Sequence, residues 1–239
     1  MKAYAATNVG LERSVNQDYI YYSLDKTGCL PNLFVVADGM GGHKAGDIAS
    51  RFTVENLVTL IRQSKEKDLI SIINNAISDV NGRLFDKASE SVDYEGMGTT
   101  LVVATISDKL LKVANVGDSR LYIVNDDITQ ITRDHSLVEE MVSLGKLDRK
   151  AARTHEKKNY ITRAIGGEKN VEAEMFSVDL KPGDRIVMCT DGLSNMVEDN
   201  DILNIVKRSD SLEEAVEGLI KTANDNGGKD NISVIIIEP

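Results

Sequence analysis

Two apolar segments of this chain each run directly into an Asp-Gly pair. Residues 33–37 (Leu-Phe-Val-Val-Ala) lead into Asp38-Gly39, and residues 185–190 lead into Asp191-Gly192. Short apolar runs that end at glycine predict buried strands, and glycine permits a tight turn with close backbone approach. A single Asp-Gly pair is usually only a turn. Two buried strands that both end this way predict two carboxylates that meet at one cation.

The bulk composition excludes several classes of protein. The chain has 239 residues, 41% of them hydrophobic, and a formal net charge of −10. This is enough apolar material for a full core, and the negative charge argues against a nucleic-acid or anionic membrane surface. No apolar run reaches membrane-spanning length, and Cys29 and Cys189 match no metal-binding spacing. We therefore expect a cytoplasmic protein with no nucleic-acid partner and no membrane insertion.

Helical periodicity predicts two pairs of helices. Apolar residues recur at helical spacing from about 44 to 61 and again after Asp68, which suits an N-cap. A short helix is predicted at about 199–207, and Ser211 opens a capping box for a further helix. Strand-like segments lie at both ends of the chain, and no linker interrupts it. We expect one α+β domain over residues 1–239, with stacked sheets covered by helices.

The middle of the chain combines a compact β region with a polar excursion. Residues 99–106, 110–116 and 120–125 are β-type and separated by short turns, which predicts an antiparallel meander. Residues 134–159 are polar and helix-prone, and within them residues 148–158 are rich in Lys and Arg and are expected to run over the surface. His135 and His155 have no Cys or His at ligand spacing, so we expect both to be solvated.

A set of aspartates lies at strand ends or in the turns beside them. Carboxylates placed together raise each other's pKa, and a hard divalent cation removes that cost. Ligation by oxygen alone suits Mg²⁺ or Mn²⁺, and two such ions roughly 3.5–4 Å apart can hold a hydroxide and clamp a phosphoryl group. Arg13 is the candidate for binding the phosphate. The aspartates are Asp18, Asp38, Asp118, Asp191 and Asp230.

The order and spacing of six short motifs carry a family resemblance. From about Ala5 to Ile237 the chain resembles the type 2C (PPM) metal-dependent protein serine/threonine phosphatases of the compact bacterial kind. Each motif alone is weak, but all six together in this order are specific. They are Arg13-x-x-Asn16-Gln17-Asp18, Asp38-Gly39-Met40-Gly41-Gly42-His43, Gly96-x-Gly98-Thr99-Thr100, Asn115-Val116-Gly117-Asp118-Ser119-Arg120, Thr190-Asp191-Gly192-Leu193 and Asp230-Asn231.

The resemblance implies a fold and an activity. The fold is a four-layer αββα sandwich, in which helix pairs flank two antiparallel sheets. The activity is hydrolysis of phosphoserine and phosphothreonine on proteins, by in-line attack of a water or hydroxide that bridges two Mn²⁺ or Mg²⁺ ions. The family also implies a monomer that acts on phosphorylated proteins and opposes a bacterial Hanks-type Ser/Thr kinase. A mobile flap is implied at about 144–160.

The resemblance assigns metal ligands residue by residue. Asp38 bridges the two catalytic ions, and the carbonyl of Gly39 binds one of them. Asp191 and Asp230 complete the protein ligands of the second ion. Asp18 acts through a metal-bound water.

Further implied roles complete the site. Asp118, together with Asp191, matches a third metal site, and Arg13 holds the substrate phosphate. Animal members place a histidine, proposed as the general acid, where this chain has Met40. His43 is an alternative acid, and so is a metal-bound water. Two other functions stay open: a metal-dependent small-molecule phosphohydrolase and a catalytically silent relative that binds phosphoproteins.

Overall fold

The computed structural model describes residues 1–42 and 45–239, and its framework is β-structure. Most strands follow the sequence segments predicted from apolar runs. In order along the chain they are β1 (Lys2–Asn8), β2 (Asp18–Ser23), β3 (Leu33–Met40), β4 (Gly98–Thr99), β5 (Leu101–Ser107), β6 (Leu110–Val116), β7 (Arg120–Val124), β8 (Ile128–Gln130), β9 (Glu174–Asp179), β10 (Arg185–Cys189) and β11 (Ile232–Glu238).

The described strands form two antiparallel sheets. One sheet has the order β1-β11-β10-β7-β8, and the other has the order β2-β3-β5-β6-β9 with the short β4 beside β3. Strands β3 and β10, which carry the two Asp-Gly pairs, therefore belong to different sheets. Both lie away from the sheet edges, so their continuous apolar sequences are buried on both faces.

Helices cover the outer face of each sheet. The helices α1 (Ala45–Gln63) and α2 (Leu69–Ala88) pack on the sheet that contains β3. The helices α6 (Asp199–Arg208) and α7 (Leu212–Asp225) pack on the sheet that contains β10. Three shorter helices lie between these pairs in sequence: α3 (Leu137–Ser143), α4 (Arg149–Ala152) and α5 (Asp191–Ser194).

The apolar side chains of β3 show how the layers are held together. Val35 and Ala37 point into the core shared with α1 and α2, whereas Phe34 and Val36 point into the core between the two sheets. Successive residues of a strand face opposite sides, so one apolar run fills two cores. The four-layer α+β sandwich predicted from the sequence is confirmed.

Local signals fixed the helix starts as expected. Asp68 caps α2 by accepting a hydrogen bond from the Ser71 amide at 2.9 Å. Ser211 caps α7 by accepting from the Glu214 amide at 3.1 Å. Both residues remove an unpaired donor from the first helical turn. Among the described residues, no helix is both long enough and apolar enough to cross a membrane.

The predicted three-stranded meander is wrong at its last strand. Strands β5 and β6 pair as expected, but β7 leaves them and pairs with β10 in the other sheet. The turn at Gly117 makes this crossing possible, because its φ of +106° is a conformation that glycine adopts easily. A Cβ at Gly117 would also lie only 2.6 Å from Cγ2 of Thr100. Asp118, which follows, is thereby placed between the two sheets.

Candidate metal centre

The first two aspartates face each other across neighbouring strands. The register of β2 and β3 pairs Asp18 directly with Asp38, so their side chains lie on the same face of the sheet. The backbone of Asp38 is held on both sides: its amide donates to Oγ1 of Thr100, and its carbonyl accepts from the Thr100 amide, both at 2.9 Å. The amide of Gly39 donates to the carbonyl of Gln17 at 3.0 Å. Strand pairing thus fixes this end of the site.

The second Asp-Gly pair arrives from the other sheet. Asp191 is the first residue of α5, and its Oδ2 accepts from Nδ2 of Asn195 at 2.9 Å. Thr190, just before it, donates from Oγ1 to Oδ2 of Asp18 at 2.8 Å. The same oxygen of Thr190 accepts from the Ser233 amide at 3.0 Å. The hydrogen bond from Thr190 to Asp18 joins the ends of the two sheets at the carboxylates.

Five aspartates form one electrostatic cluster. Burial raises the pKa of Asp18 to about 7. Burial also raises the pKa of Asp38 well above its usual range. The charges of four other aspartates raise it further: Asp18, Asp191, Asp118 and Asp230. Burial is also the largest cause of the raised pKa of Asp118, and the charge of Asp191 is the next. Burial likewise raises the pKa of Asp191, and the charge of Asp230 raises it further. Without a cation these carboxylates disfavour one another's charge.

The donor atoms fit a hard divalent cation. In the described part of the chain, Oδ1 of Asp18, of Asp118 and of Asp191 are buried without a hydrogen-bond partner. Buried carboxylate oxygens without partners are costly, and a cation would satisfy them. No group of three or more Asp, Glu, His or Cys side chains among the described residues forms a ready metal cage. The donor atoms named above are carboxylate oxygens, which suit Mg²⁺ or Mn²⁺, and Mg²⁺ usually keeps several water ligands.

Arg13 lies at the rim of this cluster. Its Nη2 is 2.8 Å from Oδ2 of Asp230, and its side chain is 49% exposed. The sequence assigned Arg13 to the substrate phosphate, and the structure places its guanidinium beside Asp230, a candidate metal ligand. Asn231 holds the loop that carries Arg13. Its Nδ2 donates to the carbonyls of Val9 at 2.9 Å and Val15 at 3.0 Å.

Comparison with known proteins agrees with this arrangement. The family model described as Protein phosphatase 2C matches residues 12–235. The chain belongs to the protein phosphatase 2C family. It is 36% identical to the serine/threonine phosphatase stp of Listeria innocua, over 100% of this chain and 96% of that protein. It is 34% identical to protein phosphatase PhpP of Streptococcus pneumoniae, over 97% and 94%.

Solved structures extend the likeness to the whole fold. The serine/threonine phosphatase Stp1 from Staphylococcus aureus superposes with a TM-score of 0.91, at 36% identity over 100% of this chain and 95% of that chain. The catalytic domain of the serine/threonine protein phosphatase PstP, in complex with two manganese ions, superposes with a TM-score of 0.86. That match has 32% identity and covers 98% and 96%. The chain therefore belongs to a family with metal-dependent chemistry, and the aspartate cluster is its candidate metal centre.

Gly39 and His43 are the two predicted site residues that closely follow Asp38 in sequence. His43, the alternative acid, lies outside the described residues. The carbonyl of Gly39 lies against α1, where a Cβ on Gly46 would come within 2.7 Å of it. Met40 ends β3 and pairs with Gly98.

The expectation that His135 is solvated is wrong. This side chain is only 8% exposed, and its Nδ1 accepts from the Gly117 amide at 3.1 Å. The His135 amide donates back to the carbonyl of Gly117 at 2.9 Å, and Nε2 lies 3.3 Å from Oε2 of Glu174. His135 therefore clamps the residue before Asp118. The neighbours of His135 in sequence are polar and did not indicate burial. The side chain is buried against the β6–β7 turn, which is distant in sequence.

A cleft of about 370 Å³ opens beside the cluster. Asp118 and Asp191 line it, and the segment predicted as a flap forms one wall. Arg153 attaches this wall to the core: Nη2 donates to the Ser194 carbonyl at 3.1 Å, and Nε lies 2.9 Å from Oε1 of Glu198. The segment 144–160 therefore borders the candidate metal centre, which the sequence placed only by resemblance.

Proposed function

We propose that this chain is a metal-dependent protein serine/threonine phosphatase that hydrolyses phosphoserine and phosphothreonine on proteins. The observation that carries the proposal is the meeting of five aspartates from both sheets, with three buried carboxylate oxygens unpartnered in the described residues. Relatives named serine/threonine phosphatases cover nearly the whole chain, and one such catalytic domain holds two manganese ions. Both findings support an enzyme of this class.

Four residues would bind the two catalytic metal ions directly. Asp38 would bridge two Mn²⁺ or Mg²⁺ ions, with the Gly39 carbonyl on one of them. Asp191 and Asp230 would complete the second ion's protein ligands. When bound, such ions lower the pKa of water and neutralise charge on a phosphoryl group.

The remaining candidate ligands have supporting roles. Asp18 would act through a water, and Thr190 holds its Oδ2 in place at 2.8 Å. Asp118, fixed through the His135 clamp on Gly117, would hold a third ion together with Asp191. These assignments rest on the positions of the side chains and on the family pattern.

Arg13 binds and orients the substrate phosphate in this proposal. Its guanidinium already donates to the Asp230 carboxylate, and a phosphate offers oxygen acceptors of the same kind. The leaving serine or threonine oxygen must gain a proton. The thioether of Met40 has none to give, so His43 and water remain the candidate donors.

The biological setting follows from the family. We infer phosphorylated proteins as substrates, a cognate Hanks-type Ser/Thr kinase as the opposing enzyme, and a monomer working in the cytoplasm. A single domain over residues 1–239 would hold the whole site, with 144–160 moving as a flap.

The test uses a phosphothreonine peptide and the full chain. We expect hydrolysis with Mn²⁺ or Mg²⁺, none after EDTA, and recovery when the metal is restored. Arg13→Ala should raise KM for the peptide about tenfold with a smaller loss in kcat, since it removes a phosphate contact. Full activity in EDTA would contradict the metal mechanism. Faster hydrolysis of nucleotides than of every phosphopeptide would instead favour a small-molecule phosphohydrolase.

A further inference from the structure

One wall of the cleft beside the candidate metal centre comes from segment 146–158, and this segment has the opposite charge to the protein. Residues 146–158 contain six Lys or Arg and two Asp or Glu, a formal charge of +4, whereas the whole chain has −10. A positive segment on an acidic protein attracts anions locally, which the overall charge would repel. Four of these cations line the cleft: Arg149, Lys150, Arg153 and Lys158.

Two of the four cations are already neutralised. Arg149 lies 3.0 Å from Oε1 of Glu139, and Arg153 lies 2.9 Å from Oε1 of Glu198. Among the residues that the structure describes, Lys150 and Lys158 form no ion pair with a carboxylate within 4.0 Å.

Two further carboxylates of the cleft wall are engaged elsewhere, and the other two, Asp118 and Asp191, belong to the candidate metal centre. Asp134 forms a bidentate pair with Arg120, whose Nη2 lies 2.7 Å from its Oδ2. Asp199 lies 3.4 Å from the hydroxyl of Tyr122. Among the described residues that line the cleft, Lys150 and Lys158 are therefore the cations not paired with a carboxylate.

Lys158 is directed towards the reaction centre. Its Nζ donates to Oδ1 of Asn195 at 3.3 Å, and Nδ2 of the same amide donates to Asp191 at 2.9 Å. Partial burial lowers the pKa of Lys158, so its ammonium has lost part of its hydration. The hydrogen-bond partner of this ammonium is a neutral amide, and the carboxylate of Asp191 attracts it from beyond ion-pair distance, so the ammonium can still pair with an anionic ligand.

We propose that this cleft binds the part of the substrate that flanks the phosphorylated residue, and that Lys150 and Lys158 select an Asp or Glu there. The inference rests on the proposed function and adds a substrate class to it. Asp118 and Asp191 line this cleft, so residues that flank a phosphothreonine bound at the candidate metal centre would lie in it. An extended chain advances about 3.3–3.6 Å per residue, so four residues on either side of the phosphate reach about 13–14 Å along the cleft.

The experiment compares matched phosphothreonine peptides with the metal-loaded full chain. An Asp is moved through each position from four before to four after the phosphothreonine, and each peptide has a partner with Asn at that position. The measured quantity is the ratio of kcat/KM for the Asp and Asn peptides. We expect a ratio of about three to ten at one or more positions, and a fall in that ratio at high salt.

Variants of the two lysines test the assignment. In the double variant Lys150→Ala/Lys158→Ala the ratio should fall to about one. Lys157→Ala removes a neighbouring cation of the same segment that does not line the cleft, and it should keep the preference. Lys150→Glu should favour a Lys peptide over its Gln partner, a gain that unfolding cannot produce.

Each outcome has one meaning for the proposal. Ratios near one at every position, or a preference that survives the double variant, would overturn the acidic selection. Hydrolysis of the neutral peptides without preference would leave the phosphatase activity intact and reject only the selection. Failure to hydrolyse any phosphopeptide would reject the proposed function itself.

Discussion

The two Asp-Gly pairs have the same local sequence but reach the metal centre differently. At Asp38-Gly39 the strand continues to Met40, and hydrogen bonds to Thr100 and Gln17 fix the backbone. At Asp191-Gly192 the strand has already ended and a helix begins, so the carboxylate depends on the Asn195 side chain one turn later.

The difference shows that tertiary contacts choose between strand and helix after the same dipeptide. Gly39 pairs with Thr99 of β4, so a further strand residue is stabilised there. Gly192 lies against the carbonyl of Asn231, where a short helix fits and β4 has no counterpart. The first carboxylate is therefore held by backbone and the second by a side chain.

The largest expected effect separates the two aspartates by role. Asp38→Asn should lower kcat for a phosphothreonine peptide at least about a thousandfold, because the proposed bridging ligand would serve two ions. Asp191→Asn should cost about a hundredfold, and the exposed Asp126→Asn should change little. The measurement is steady-state kinetics with saturating Mn²⁺. Equal losses for Asp38 and Asp191 would remove the distinction between them.

Close packing of both glycines gives the next largest effect. A Cβ would overlap the Gly46 carbonyl at Gly39 and the Asn231 carbonyl at Gly192. Gly39→Ala and Gly192→Ala should each lower the free energy of unfolding by about 3 kcal/mol, as measured by urea denaturation. Gly82→Ala is the control: it lies inside α2 with open space around it and should stabilise by about 0.5–1 kcal/mol. Wild-type stability in either variant would refute the tight packing.

Asp18 connects the two regions, and its titration gives a smaller effect. Burial raises its pKa to about 7, so the folded metal-free protein holds a proton that the unfolded chain releases near pH 4. The folded state therefore binds more protons, and stability falls as pH rises from about 4 through 7. In EDTA, raising the pH from 5 to 8 should reduce the wild-type unfolding free energy by about 2 kcal/mol more than that of Asp18→Asn. Identical pH profiles would show that burial does not perturb Asp18.

The smallest effect tests the side-chain support of Asp191. Asn195→Ala removes the donor to Asp191 Oδ2 and should weaken Mn²⁺ binding about tenfold in calorimetry. The matched control is Asn226→Ala, whose amide donates to the Met196 carbonyl on the exposed surface. Unchanged affinity after Asn195→Ala would mean that helix α5 alone positions the carboxylate.

Several features were predictable because local physics decides them. The apolar run before Asp38 is buried on both faces, so it has no polar interruption, and the caps at Asp68 and Ser211 follow from their short side chains. The motif order also identified the family correctly. Strand partners are different, because pairing depends on segments far apart in sequence. The switch of β7 to the other sheet and the burial of His135 both arise at the Gly117 turn and had no local signal.

The sequence by itself determined the residue types of the site, their positions at strand ends and the layered fold class. Only the tertiary structure brought Asp18, Asp38, Asp118 and Asp191 together, left three of their oxygens unpartnered in the described residues, and put Arg13 beside Asp230. The physical reason is distance along the chain. Periodicity and turn chemistry act over a few residues, whereas mutual burial of charges depends on which sheets meet.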